Sequence, residues 1–212
     1  MNRIKKKHFM RRWVLVCAGS VLLAACSTVQ PPKQNAVADS LWRPAPTTES
    51  GFDAEGRLAV KDEGKGSYAN FAWQDMGGMQ NLEVKTPLGN SVGVLCQDGM
   101  GVIAQDSAGR VVQAASVADL SERMLGFALP FDHLNQWVKG YWAVGEPYQL
   151  LPDGRLRQSG WVIERELNAN RAAPKRVELS NTRFNIRLVF DEYGSTSAEA
   201  NGVCALRQEE GH

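Results

Sequence analysis

Chemistry at a protein site needs groups that attack, bind a metal or carry a proton, and this chain of 212 residues has few of them. Its imidazoles are His8, His133 and His212, and its thiols are Cys17, Cys26, Cys96 and Cys204. Neither set has the spacing of metal ligands. No glycine-rich phosphate loop follows a strand, and no nucleophile elbow is recognised. His133 reads as decoration on a short helix, and Cys96 as a small core residue on the apolar parity of its strand. Aspartates and glutamates are spread over turns and strand edges, where solvated roles dominate. No enzyme is expected, no metal and no cofactor. The one residue in a reactive context is Cys26.

Cys26 ends a leader. Arg3, Lys5, Lys6, Lys7, Arg11 and Arg12 form a cationic stretch without an acid, and an apolar run of 11 residues, Trp13 to Leu23, follows. A membrane-spanning helix needs ~20 residues, so residues 1–25 read as a cleavable signal peptide, with Met10 a second candidate start. Leu23-Ala24-Ala25-Cys26 resembles the bacterial lipobox. That resemblance implies that the Cys26 thiolate takes up a diacylglyceryl group, that the leader is cut before it, and that the new amino group is acylated. Two or more acyl chains hold a protein on a bilayer, whereas one binds reversibly at ~0.8 kcal/mol per buried methylene. By resemblance to enterobacterial sorting rules, a serine rather than an aspartate at position 27 favours the outer membrane over retention at the inner one.

Removing the leader changes the electrostatics. The whole chain has 24 basic and 23 acidic residues; without residues 1–25 it has 18 basic against 23 acidic, a net charge of −5. No pervasive basic surface is left for a nucleic acid. Cys96 and Cys204 are the remaining thiols, in a compartment that permits disulfides, and the sequence leaves their pairing open.

The elements that position the rest follow from periodicity. Residues 26–51 read as lipidated cysteine and tether, with Pro31-Pro32, Pro44 and Pro46; Leu41-Trp42 is the exception, a candidate docking element. Residues 52–192 form the folded body, and 193–212 read as a largely disordered tail, poor in large apolar residues. Within the body, Leu58-Ala59-Val60, Phe71 and Trp73, Leu82 and Val84, the stretch Val92, Val94, Cys96, and Phe184 to Phe190 all show strand alternation. Turn signals stand at Gly77-Gly78, Asp98-Gly99, Ala108-Gly109 and Pro152-Asp153-Gly154. In the middle, Ser116 with Asp119 caps a helix carrying Val117, Leu120, Met124 and Leu125. A second helix is expected over Phe131–Lys139, with Pro130 before it and Gly140 after it. Strands, two short helices and more strands suit a strongly bent antiparallel sheet, an open barrel whose mouth the helices cover. Phe71, Trp73, Leu82, Val84, Trp137 and Phe184 can pack a dry core or line a pocket in it.

Leu82-Glu83-Val84-Lys85-Thr86-Pro87-Leu88-Gly89-Asn90-Ser91, spaced after Phe71-Ala72-Trp73-Gln74, resembles the LolB family of outer-membrane lipoprotein receptors. Leu129-Pro130, Leu134 and Gln136-Trp137-Val138-Lys139-Gly140 are similar to that family's helical segment, and Ser159-Gly160-Trp161 to its next strand. The resemblance runs from about Gly51 to Phe190. It implies an unclosed antiparallel β-barrel with a helical lid over a hydrophobic cavity, for which the six residues above are candidate lining. It implies a receptor, expected as a monomer, that accepts acylated lipoproteins from the periplasmic carrier LolA and inserts them into the inner leaflet of the outer membrane. It also implies that a protruding loop, here Pro87, Leu88 and Gly89, assists insertion. Pro87 and Leu88 suit the central positions of a type I turn with glycine next, which would push Leu88 outward. The residues alone leave two rivals: an assembly lipoprotein binding another envelope protein, and a periplasmic hydrolase with dispersed carboxylates.

Overall fold

The computed structural model describes residues 41–47, 50–125, 128–196 and 203–209. The expected signal peptide, Cys26 and the tether as far as residue 40 lie outside the described residues.

The first described element is a two-residue strand, β1 (Arg43–Pro44), parallel to β8 (Tyr141–Trp142). The body is one antiparallel sheet of 11 strands. A long run of hairpins supplies β2 (Gly51–Asp62), β3 (Lys65–Asp75), β4 (Gln80–Lys85), β5 (Ser91–Asp98), β6 (Gly101–Asp106) and β7 (Val111–Ala114). After the helices come β9 (Tyr148–Leu150), β10 (Leu156–Gln158), β11 (Trp161–Leu167), β12 (Pro174–Ser180) and β13 (Phe184–Thr196). The order across the sheet is β7-β6-β5-β4-β3-β2-β13-β12-β11-β10-β9. The last strand returns to pair with the first long one, from Phe184 opposite Asp62 to Thr196 opposite Gly51. β7 and β9 are the two edges and do not pair, so the sheet bends without closing.

Every expected strand is present, and the pairing fixes which residues share a face. Phe71 lies opposite Val84 and Trp73 opposite Leu82, while Leu58 lies opposite Leu188 and Val60 opposite Ile186. These residues project into the concave side. Gly56 leaves no room for a side chain: a Cβ there would come within 2.9 Å of the Phe71 ring and strike the Val189 carbonyl. Phe71 and Phe190 meet edge to face above it at 5.6 Å.

The two helices take the gap between the edges. Helix α1 (Val117–Leu125) starts where Ser116 Oγ accepts the Asp119 backbone N–H at 3.0 Å, satisfying one orphan donor of the first turn. Helix α2 (Phe131–Lys139) ends at Gly140, whose φ of +87° is the left-handed C-cap conformation that glycine adopts without a Cβ penalty. Below α2, Lys139 Nζ reaches Asp75 at 3.0 Å with both side chains out of solvent. Asn135 also donates to Asp75, and Gln97 to Asp132, so a polar seam seats this helix on the sheet.

Two expectations about the chain ends are corrected. The strand does not stop at residue 192: β13 runs on to Thr196, pairing along the free edge that Gly51–Asp53 at the start of β2 leaves beside β3. Beyond it, the short helix α3 (Ala205–Glu209) is docked, and Cys204 is fully buried and joined to Cys96 by a disulfide. The few apolar residues there suffice because a covalent bond and an ion pair supply the rest. At the other end, Trp42 is buried with its Nε1–H on the Gly154 carbonyl at 2.9 Å. The tether therefore meets the body ten residues earlier than a boundary at 51 implies, at the docking element marked by Leu41-Trp42.

Candidate functional site

The concave face is only partly filled. A cavity of about 830 Å³ lies between the sheet and the helices, within the ~300–1,000 Å³ of pockets that enclose apolar ligands. Strands β2, β3 and β13 supply its back wall through Leu58, Val60, Phe71, Trp73, Phe184 and Ile186. Strands β4 to β7 supply a side wall through Leu82, Val84, Leu95, Ala104 and Val112. Val117, Leu120, Leu129, Phe131 and Leu134 close it from above, the helical lid.

Five of the six candidate lining residues therefore border the cavity: Phe71, Trp73, Leu82, Val84 and Phe184. Trp137 does not. It is fully buried one turn along α2, and its indole N–H donates to Gln158 Oε1 at 3.0 Å. Gln158 in turn pairs with both the N–H and the carbonyl of Ala143, at 2.8 Å each. Trp137 is thus a closed part of the core under β9–β11, whereas Trp73 at the cavity has a buried indole N–H without an acceptor. Leu134 and Trp137 lie on one helix face, and only the tertiary partner separates them.

The lining residues absent from the sequence reading come from pairing. Leu95 lies opposite Leu82, and Gly93 opposite Val84, so 93 and 95 share the cavity face. Cys96 falls on the other side of β5, with Ile103 opposite it on β6, beneath Cys204. At Cys96 the alternation is correct and its orientation inverted, whereas Val92 and Val94 still border the cavity beside the register shift after Val84.

Charge is confined to the rim. Asp106 accepts the backbone N–H of Arg110 and holds its guanidinium, which keeps that carboxyl below the usual range despite partial burial. Asp62 is held low in the same sense by a two-pronged hydrogen bond from Arg183. Both acids border the cavity with their cations beside them, so the mouth is polar but locally neutral. The interior is hydrocarbon.

The groups that could do bond chemistry are elsewhere or occupied. Cys96 is a disulfide sulfur. His133 sits on α2 with Nε2 3.0 Å from Glu146, which also accepts Ser159 Oγ. Gly89-Asn90-Ser91-Val92-Gly93 has the spacing of a nucleophile elbow, but it runs from a hairpin turn into a strand and no helix follows. No group of three potential metal-ligating side chains occurs among the described residues.

The loop between β4 and β5 has the geometry the sequence suggests. Gly89 N–H donates to the Thr86 carbonyl at 2.8 Å and Thr86 N–H to the Asn90 carbonyl at 2.8 Å, with Gly89 at φ +90°. Pro87 and Leu88 occupy the central turn positions, and Leu88 is 90% exposed. The loop rises between Val84 and Val92, both of which border the cavity.

Residues 50–193 match the family model described as outer membrane lipoprotein LolB. The outer-membrane lipoprotein LolB of Neisseria meningitidis is 44% identical over 191 residues, covering 90% of this chain and 96% of that one. That of Chromobacterium violaceum is 32% identical, covering 87% of this chain and 99% of its own length. A solved structure, a putative outer membrane lipoprotein-sorting protein domain from Vibrio parahaemolyticus, superposes with a TM-score of 0.42 at 10% identity over 82% of this chain and 94% of that one, too loosely to add to the assignment. With the family model over most of its length and relatives that it covers almost end to end, this chain belongs to the outer membrane lipoprotein LolB family, an outer-membrane lipoprotein with a receptor role in lipoprotein localisation.

Proposed function

We propose that the cavity holds the acyl chains of cargo lipoproteins, received from a soluble periplasmic carrier of the LolA type and passed to the inner leaflet of the outer membrane. The supporting observation is the open apolar cavity of about 830 Å³ roofed by two short helices. The work is binding and release, and no bond is made or broken. Each methylene moved from water into such a cavity contributes ~0.8 kcal/mol, so the carrier and this receptor compete for the same chains. A difference of ~1.4 kcal/mol in favour of the receptor biases the exchange tenfold. The bilayer offers the same hydrocarbon environment in excess and takes the chains onward.

Two further residues, Cys26 and Leu88, belong to this proposal. Cys26, acylated, holds the receptor at the membrane that receives the cargo. Leu88 enters that membrane from the tip of its turn, because a single exposed leucine on a polar loop costs little in water and gains hydrocarbon contact in lipid. The test is transfer from carrier-loaded lipoprotein to this protein without added energy, with a photocrosslinker at Val60, Leu82 or Ala104. Cargo captured at these positions, and not at Arg57 on the convex face, supports the reading. Failure at all three in a folded protein would overturn it and leave an assembly role.

A further inference from the structure

The β4–β7 end of the sheet has an unusual support. Its concave face borders the cavity, so Leu95 and Ala104 are only partly buried against the main core and Val112 is left exposed. A sheet face normally gains its stability by burial against another layer. Here a second, smaller layer covers the other side. On the convex face Cys96 and Ile103 are buried beneath Cys204, with Met79, Val111 and Leu206 packed around them.

The segment that makes this outer layer crosses three strands. Cys204 is bonded to Cys96 on β5, 108 residues away in sequence. Asp98, at the end of β5, accepts the Cys204 N–H at 3.0 Å and Arg207 Nε at 2.9 Å, and both side chains of that ion pair are largely out of solvent. Arg207 Nη1 continues to Gln113 Oε1 on β7 at 3.0 Å. The segment lies beyond residue 193, where the family match ends.

We propose that residues 203–209 are an oxidation-dependent clasp, an external brace for the cavity wall that allows its inner face to be vacated for a ligand. The bond forms when a dithiol–disulfide oxidant of the periplasm takes two electrons and two protons from Cys96 and Cys204, leaving itself as the dithiol. Both sulfurs are then shielded, Cys96 being 3% and Cys204 0% exposed, so small reductants meet them only through local opening. The clasp is thus set once, at maturation, and β5–β7 hold their curvature whether or not acyl chains fill the cavity. The ligand side of this inference rests on the acyl-chain reading above; the brace itself does not.

The experiment compares the oxidised protein with Cys96→Ala/Cys204→Ala and with Arg207→Ala, the latter keeping the disulfide. Amide hydrogen exchange is read by segment, and affinity is read with a fluorescent polyene fatty acid. The expected result is exchange at least tenfold faster over 91–114 in the double variant, unchanged over 156–190, with fatty-acid affinity about tenfold weaker. Arg207→Ala should accelerate exchange over 111–114 by a smaller factor. Equal protection over 91–114 in all three proteins would overturn the brace, and so would a uniform rise across the whole sheet, which marks a general stabiliser. If the oxidised protein takes up no fatty acid, the acyl-chain reading fails while the exchange pattern still decides the clasp.

Discussion

The two ends of the sheet are built from the same alternating pattern and do opposite things. At the β9–β11 end the concave residues Leu156, Trp161 and Ile163 are buried against Trp42 and Trp137, whose indole donors are paired with Gly154 and Gln158. At the β4–β7 end the concave residues Leu82, Leu95 and Ala104 are only partly buried and Val112 is 42% exposed. Hydrophobic alternation says that one face seeks apolar surroundings. It does not say whether protein or ligand provides them. Two tryptophans placed opposite β9–β11 make a dry core, whereas β4–β7 face the cavity.

The contrast is easiest to break at Trp137. Trp137→Ala should cost about 3–5 kcal/mol, the usual range for emptying a buried tryptophan site, measured by denaturant unfolding. Fatty-acid binding per folded molecule should be unchanged. A protein that stays stable and loses binding instead would return Trp137 to the cavity. Next in size is Lys139→Met, which leaves Asp75 buried beside fewer donors. Breaking a buried pair from one side costs about 3 kcal/mol or more, and the loss should appear as looser protection of α2.

The cavity wall should tolerate more. Leu95→Ala removes contacts to an open space and creates no new sealed void, so a loss near 1 kcal/mol is expected, below the ~2–5 kcal/mol of enclosed leucines. Its main effect should be weaker fatty-acid binding. A penalty as large as that of Trp137→Ala would show that β4–β7 is packed in solution. Acid adds a finer probe of the same end. Burial alone would raise Asp98, but the Arg207 side chain and the backbone N–H groups of Cys204 and Met100 outweigh it and hold the carboxyl below its ordinary value of 3.8. A depressed carboxylate stabilises the folded state above its unfolded pKa and loses that contribution as pH falls through the folded one. Protection of 203–209 should therefore decline below about pH 4, and the decline should be absent in Asp98→Asn. Smallest for stability is Leu88→Asp, within ~0.5 kcal/mol for so exposed a site. Its effect belongs to delivery: uptake from the carrier is unchanged and release into vesicles falls about tenfold. Normal release would remove Leu88 from the mechanism.

Local patterns carried much of this architecture. Helix α2 has the limits that Pro130 and Gly140 suggest, and the Ser116 cap and the Thr86–Asn90 turn are short-range features written in adjacent residues. What was hidden depends on distant partners. The inverted face of β5 could be seen only through its pairing with β4, because alternation defines two faces without naming the inner one. The C-terminal segment has too few apolar residues to announce a docked element, and its attachment rests on a cysteine and an arginine whose partners, Cys96 and Asp98, lie about a hundred residues earlier. Leu134 and Trp137 are one turn apart on α2, yet one meets a cavity and the other a glutamine.

The burial of Trp42 also sets a working radius. If the lipid is carried on Cys26, the leash is the 16 residues up to the point where the indole is pinned, and a fully extended chain covers at most ~3.3–3.6 Å per residue. The receptor can then patrol no farther than roughly 55 Å from its own anchor point. On the proposed reading, a carrier meets the receptor within that leash plus the breadth of the folded body. A cargo released by this molecule lands in a patch of lipid no wider than the leash permits, so where the anchors stand determines where new lipoproteins arrive.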